Sequence, residues 1–75
     1  MKIEEDAPLA NQVGGDHYRT MNMQPIEYIN ANQLGYLEGA IVQYISRFRD
    51  KGGEQDLDKI IHCVQLLKEF EYGDK

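Results

Sequence analysis

Leu37-Glu38-Gly39-Ala40-Ile41-Val42-Gln43-Tyr44-Ile45-Ser46-Arg47-Phe48-Arg49 has the period of a helix. Leu37, Ile41, Tyr44, Ile45 and Phe48 fall at i, i+4, i+7, i+8 and i+11, which is one helical face. Arg47, Arg49 and Lys51 gather at its C-terminal end, where positive charge offsets the helix dipole. Gly52-Gly53 then stops it, glycine supplying the left-handed cap that other residues resist. A second periodic run opens near Asp56, whose carboxylate can cap free N–H groups, with Asp58 in the favourable first turn. Leu57, Ile60, Ile61, Val64, Leu67 and Phe70 or Glu71 mark its buried stripe, and Gly73 ends it. So short a connection predicts an antiparallel helical hairpin.

Towards the N-terminus, Gln24-Pro25-Ile26-Glu27-Tyr28-Ile29-Asn30-Ala31-Asn32 carries a shorter helix signal. Pro25 suits the first helical position, where its missing N–H would be unpaired anyway, and Glu27 complements the dipole. Ile26, Ile29 and Leu34 supply an apolar side, and Gly35 reads as a break. Gly14-Gly15-Asp16-His17-Tyr18-Arg19 is a turn or loop. Residues 1–13 read as a flexible N-terminal arm and 14–75 as a single helical domain. Nothing alternates with the period of a strand, so the expected class is all-α. A hairpin with one short extra helix cannot hide both stripes and the rings of Tyr28, Tyr36 and Tyr72. The expected completion of the core is homo-oligomerisation.

Composition narrows the possibilities. The 75 residues make one domain, and a chain this short buries only about 60% of its unfolded surface. Disulfides, a structural metal or association usually compensate. Cys63 is the only cysteine, and His17 and His62 with it fall short of a four-ligand zinc set. Association remains, and no tightly bound metal is expected. Eight Lys and Arg against 13 Asp and Glu give a net charge of −5, which argues against duplex nucleic acid as a partner. No apolar run approaches the roughly 20 residues of a membrane span. The start, Met1-Lys2-Ile3-Glu4-Glu5-Asp6, is unlike a signal peptide. A lone cysteine fits a reducing cytoplasm.

Familiar catalytic apparatus is missing. There is no Walker loop and no Gly-x-Ser-x-Gly elbow. His62 and Cys63 are adjacent on a helix and point about 100° apart, so they make no nucleophile–base pair. Paired Glu-x-x-Glu sets, which hold magnesium in helical pyrophosphohydrolases, are absent. What remains is a cluster suited to a nucleotide. Gly14 and Gly15 can present backbone N–H groups to an anion. His17, Arg19, Arg47, Arg49 and Lys51 supply positive charge, and Tyr18 or Tyr44 can stack on a base. Asp56 to Lys59 adds a helix N-terminus facing the same turn. The competing reading makes the same cations solvated capping residues.

Gln12-Val13-Gly14-Gly15-Asp16-His17-Tyr18, then Gln24-Pro25-Ile26-Glu27, then Gly39, Ile41-Val42 and Tyr44 stand in a recognisable order. Arg47, Arg49-Asp50-Lys51, Gly53, Asp56-Leu57, Lys59, His62 and Leu66-Leu67 continue it. The chain resembles the SaV-like family of small bacteriophage proteins from about residue 12 to residue 70. The resemblance implies an accessory protein acting in the cytoplasm of the infected bacterial host. It also implies an unconventional nucleoside monophosphate kinase without a Walker loop, working as an oligomer, with Mg2+ entering on the nucleotide. Asp16, Asp50 and Asp56 would hold that ion through water at best. The matched positions Gly14, Gly15, His17, Tyr18, Arg47, Lys51, Asp56 and Lys59, together with Tyr44, become candidate nucleotide contacts.

Two positions depart from the family pattern, Ala40 replacing a polar amide and Gln43 a cation. Phosphoryl transfer depends on positioned positive charge, so binding survives that loss more readily than catalysis. Three functions follow for test: a kinase, a sponge that sequesters a signalling nucleotide of anti-phage immunity, or a protein-binding inhibitor of a host enzyme.

Overall fold

The computed structural model describes residues 21–73. They form three helices, α1 (Pro25–Ala31), α2 (Tyr36–Arg47) and α3 (Gly53–Tyr72), with no strand among them. The arm, residues 1–13, lies outside the described residues.

Local chemistry fixes where the first two helices begin. Pro25 takes the first position of α1 as expected, and Gln24 before it is extended, at φ −71° and ψ 145°. Glu27 does more than complement a dipole: its carboxylate accepts the Gln24 backbone N–H at 2.7 Å. Such a return contact occupies a donor that the helix itself leaves unpaired. The exit uses Asn32, whose backbone and side-chain N–H groups both donate to the Tyr28 carbonyl, at 3.1 and 3.0 Å. Gln33 takes the left-handed conformation, φ 55°, and the chain breaks at Gly35. Glu38 then repeats the device of Glu27, accepting the Gly35 N–H at 3.1 Å.

The turn between α2 and α3 differs from the sequence expectation. Helix α2 stops at Arg47 rather than Arg49, and α3 starts at Gly53, well before Asp56. The Arg47 carbonyl accepts the N–H of both Asp50 (2.9 Å) and Lys51 (3.0 Å), which tightens the chain out of the α ladder. Gly53 N–H reaches back to the Phe48 carbonyl at 2.7 Å, and Gly53 alone of this pair is left-handed, at φ +56°. Asp56 therefore sits inside the first turns of α3, where its carboxylate accepts the N–H of the N-cap residue Gly52, as a cap would, and serves a second purpose as well.

Helix α2 is the middle element, packed more extensively on α3 than on α1; α1 and α3 do not meet. Its α1 side carries Gly39, which is buried. A Cβ built there would lie 3.1 Å from Ile29 Cγ2, so the bare backbone lets α1 close down. Its other side presents Leu37, Ile41, Tyr44 and Phe48, all partly covered, while Ile45 at the edge stays 50% exposed.

The stripe expected on α3 is covered along one edge only. Asp56, Ile60, Cys63, Leu67 and Phe70 share one face, and Asp56 and Cys63 are buried on it. Ile61 and Val64 lie on the flank beside that face, 55% and 42% exposed. Pro25 and Cys63 are the only buried side chains among the described aliphatic, aromatic and sulfur residues. The described chain thus covers its apolar residues only in part.

Candidate ligand site

Arg47 ends α2 and Asp56 opens α3, and the turn between them brings the two side chains face to face. Arg47 Nε donates to Asp56 Oδ2 at 3.0 Å and Nη2 to Oδ1 at 3.2 Å. This is the fork-to-fork geometry that a guanidinium and a carboxylate share. Asp56 is 1% exposed and the Arg47 side chain 23%, so the pair sits at the root of the interhelical seam. The sequence reading made Asp56 a helix cap and gave Arg47 to a phosphate; here each is engaged by the other.

The Arg47 hydrogen bonds hold the Asp56 carboxyl below its ordinary value of 3.8, against the opposing effect of burial. The charges of Arg47 and Lys59 and the Gly52 N–H act in the same lowering direction. Since the native pKa is depressed, the contribution to stability is complete above pH 3.8 and fades as pH falls through the lower native value. Melting temperatures from pH 6 to pH 2 should show an acid limb that is shallower in Asp56→Asn, on a lower curve. Parallel wild-type and variant limbs would remove Asp56 from the acid response.

Tyr44 lies between this pair and a cleft. Arg47 Cζ is 5.0 Å and Lys59 Nζ 5.4 Å from the ring centroid, both within cation–π range. The same ring lines an open cleft of about 250 Å³ between α1 and α2. Ile26, Ile29 and Leu34 give the cleft apolar walls, Gly39 lies along it, and Gln43 adds an amide. Ala40 keeps that wall small and apolar.

Of the residues singled out from sequence, the fold brings together Tyr44, Arg47, Asp56 and Lys59. Lys51 is exposed in the turn, and Arg49 lies over the Phe48 ring at 4.9 Å. Gly14, Gly15, His17 and Tyr18 lie outside the described residues. His62 is exposed beside buried Cys63, and no group of three or more His, Cys, Asp or Glu among the described residues is arranged for a metal. No described helix is long and apolar enough to cross a membrane. The sequence reading missed the cleft. Its signal was present in Ile26, Ile29 and Leu34, read only as the apolar side of a short helix, facing a glycine within the next one.

Residues 12–65 match the model of a protein family, DUF3310, described as being of unknown function. No curated protein matches the chain, and no solved structure does.

Proposed function

This chain belongs to the DUF3310 family, and we propose that it binds a nucleotide without phosphoryl transfer, working as a homo-oligomer of antiparallel helical hairpins. The observation that carries the reading is the Tyr44 ring, shared between an apolar cleft and two cations. A base finds a stacking surface there, and phosphate finds Lys59 beyond the ring. Pockets that enclose a drug-sized ligand run about 300–1,000 Å³, so a cleft of about 250 Å³ suits a base or nucleoside and leaves the phosphates outside.

The Arg47–Asp56 pair favours binding over catalysis. A kinase needs a positioned cation for the transferred phosphoryl group and usually a carboxylate near its magnesium. Here the forked cation and the most buried carboxylate are committed to each other. We infer from the resemblance to small phage proteins that such a binder would act in the infected bacterial cytoplasm, where sequestering a signalling nucleotide would counter host immunity.

Mass spectrometry of small molecules released by heating the protein from infected cells identifies the ligand. Calorimetric titration with mononucleotides then tests the site. Lys59→Ala, at an exposed position, should weaken binding by roughly 1.5–3 kcal/mol, the range for a hydrogen bond to a charged group. ATP turnover with Mg2+ would overturn the non-catalytic reading, and no nucleotide binding at millimolar concentration would overturn the site.

A further inference from the structure

The Tyr44 ring belongs to two neighbourhoods at once. It lines the cleft between α1 and α2, and it carries Arg47 Cζ and Lys59 Nζ at 5.0 and 5.4 Å from its centroid. Helix geometry does not settle how that ring is turned. The second torsion of a tyrosine is broad and roughly two-fold, so the plane of this wall is set by what touches it. The two cations differ as fixtures. Lys59 stands at an exposed position on a flexible four-carbon stem, and its ammonium follows the ring. Arg47 is long as well, but its guanidinium is forked onto Asp56 at 3.0 and 3.2 Å. Asp56 in turn has little freedom. It is short, 1% exposed and accepts the Gly52 N–H, and a Cβ at Gly52 would stand 2.1 Å from its Cγ. The fixed point of this run of contacts is therefore a carboxylate on α3. The surface it fixes faces α1, a helix that α3 does not meet.

We propose that Asp56 is a positioning residue for the cleft: through the Arg47 fork it holds the Tyr44 ring in the plane against which a nucleobase stacks, without touching the ligand itself. The inference rests on the nucleotide reading above and names the residue on which its stacking wall depends. Asp56 lines no part of the cleft, so its effect on a stacked base passes through the two side chains between them. A direct electrostatic effect would have the opposite sign. A carboxylate repels a phosphate, so removing its charge alone should strengthen nucleotide binding and leave a nucleoside untouched. Losing the fork should weaken nucleotide and nucleoside alike, because both present the same base to the ring. The sign of the change, and whether the nucleoside shares it, separates positioning from charge.

Calorimetric titration of the full chain with the common ribonucleoside 5′-monophosphates, and with the matching nucleosides, tests it. Titration at about 10 °C, near the stability maximum of most domains, keeps global unfolding out of the affinities. Asp56→Asn preserves the shape of the side chain and should weaken both ligand classes by the same factor, about three- to tenfold, within the span of a cation–π contact. A spectroscopic change should accompany it. The Arg47 Nε proton, shifted upfield in wild type by the ring its guanidinium lies over, should move towards the position of a free arginine in the variant. Gln65→Ala, an exposed change on α3, should alter neither reading. Equal affinities of wild type and Asp56→Asn overturn the proposal, as does a loss confined to the nucleotides or a gain in their binding. A wild type that takes neither class at millimolar concentration overturns the nucleotide reading, and the proposal with it. Should Asp56→Asn fail to fold, the double variant Arg47→Met, Asp56→Leu removes the fork and fills the same seam, and nucleoside affinity equal to wild type in that protein overturns the proposal.

Discussion

Arg47→Ala should lower the melting temperature by on the order of 10 °C or more, the largest loss expected from any single truncation on α2. The reason is the partner left behind. Asp56 is 1% exposed, and both its oxygens accept from Arg47. Removing the guanidinium leaves a carboxylate that has lost two of its hydrogen-bond donors and the nearer of its two cations. Lys59 lies over Tyr44 rather than on the carboxylate, and the Gly52 N–H supplies only one hydrogen bond. Arg47→Lys should recover part of the loss, because one ammonium cannot reproduce a fork. The double variant Arg47→Met, Asp56→Leu separates pairing from packing. If the pair stabilises only by matching two buried polar groups, replacing both should restore much of what Arg47→Ala removes. Thermal melts of the four proteins at pH 7 measure this. An Arg47→Ala melting temperature within about 2 °C of wild type, against the 4–8 °C that about 1 kcal/mol shifts a domain of this size, would make the pair a surface ornament.

The same pair separates what the sequence made visible from what it did not. Helix periods are local, and α1, α2 and α3 all lie where the spacing of Ile26, Ile41 or Leu57 and their neighbours expects them. Pro25 and Gly35 mark their boundaries correctly because each acts on its own backbone. The turn was misread because its geometry comes from across the chain. Arg47 and Asp56 stand nine residues apart, and no spacing rule for one helix brings them together. As a result Asp56 looked like a cap and Arg47 like a ligand for phosphate. The α3 stripe was too wide for a related reason: Ile60 and Ile61 are adjacent and apolar, about 100° apart on the helix, and only the placement of α2 decides that Ile60 is the one covered. The cleft demanded a third fact, that Gly39 admits Ile29 at close range. Tyr44 and Lys59 come together because the turn aligns α2 with α3, a juxtaposition that no spacing within one helix encodes.

Gly52→Ala is expected to destabilise at least as much as Arg47→Ala, although its backbone argues for the opposite sign. Gly52 has φ −91° and ψ −15°, values open to any residue. On conformational grounds alone, alanine there would stabilise by about 0.4–1 kcal/mol through the unfolded chain. Space decides otherwise. A Cβ at Gly52 would stand 2.1 Å from Asp56 Cγ and 2.2 Å from each carboxylate oxygen. A long side chain would swing its tip aside, but aspartate is short, buried and held by both arms of the Arg47 fork. To admit the methyl group the carboxylate must leave, and its hydrogen bonds go with it. Gly53 carries the contrasting case: its φ of +56° is left-handed, and nothing lies within 4 Å of a Cβ built there. Gly53→Ala should therefore cost only the backbone strain, about 1–2 kcal/mol, and Gly53→Asn less. Coupling to Asp56 distinguishes the two glycines. In an Asp56→Ala background the obstacle at Gly52 is gone, so Gly52→Ala should become nearly neutral, whereas Gly53→Ala should cost what it did before. Denaturant unfolding of the two double-mutant cycles reads this directly. If the two glycine substitutions cost the same in both backgrounds, the turn uses its Gly-Gly pair for flexibility and the close approach of Asp56 has no energetic weight.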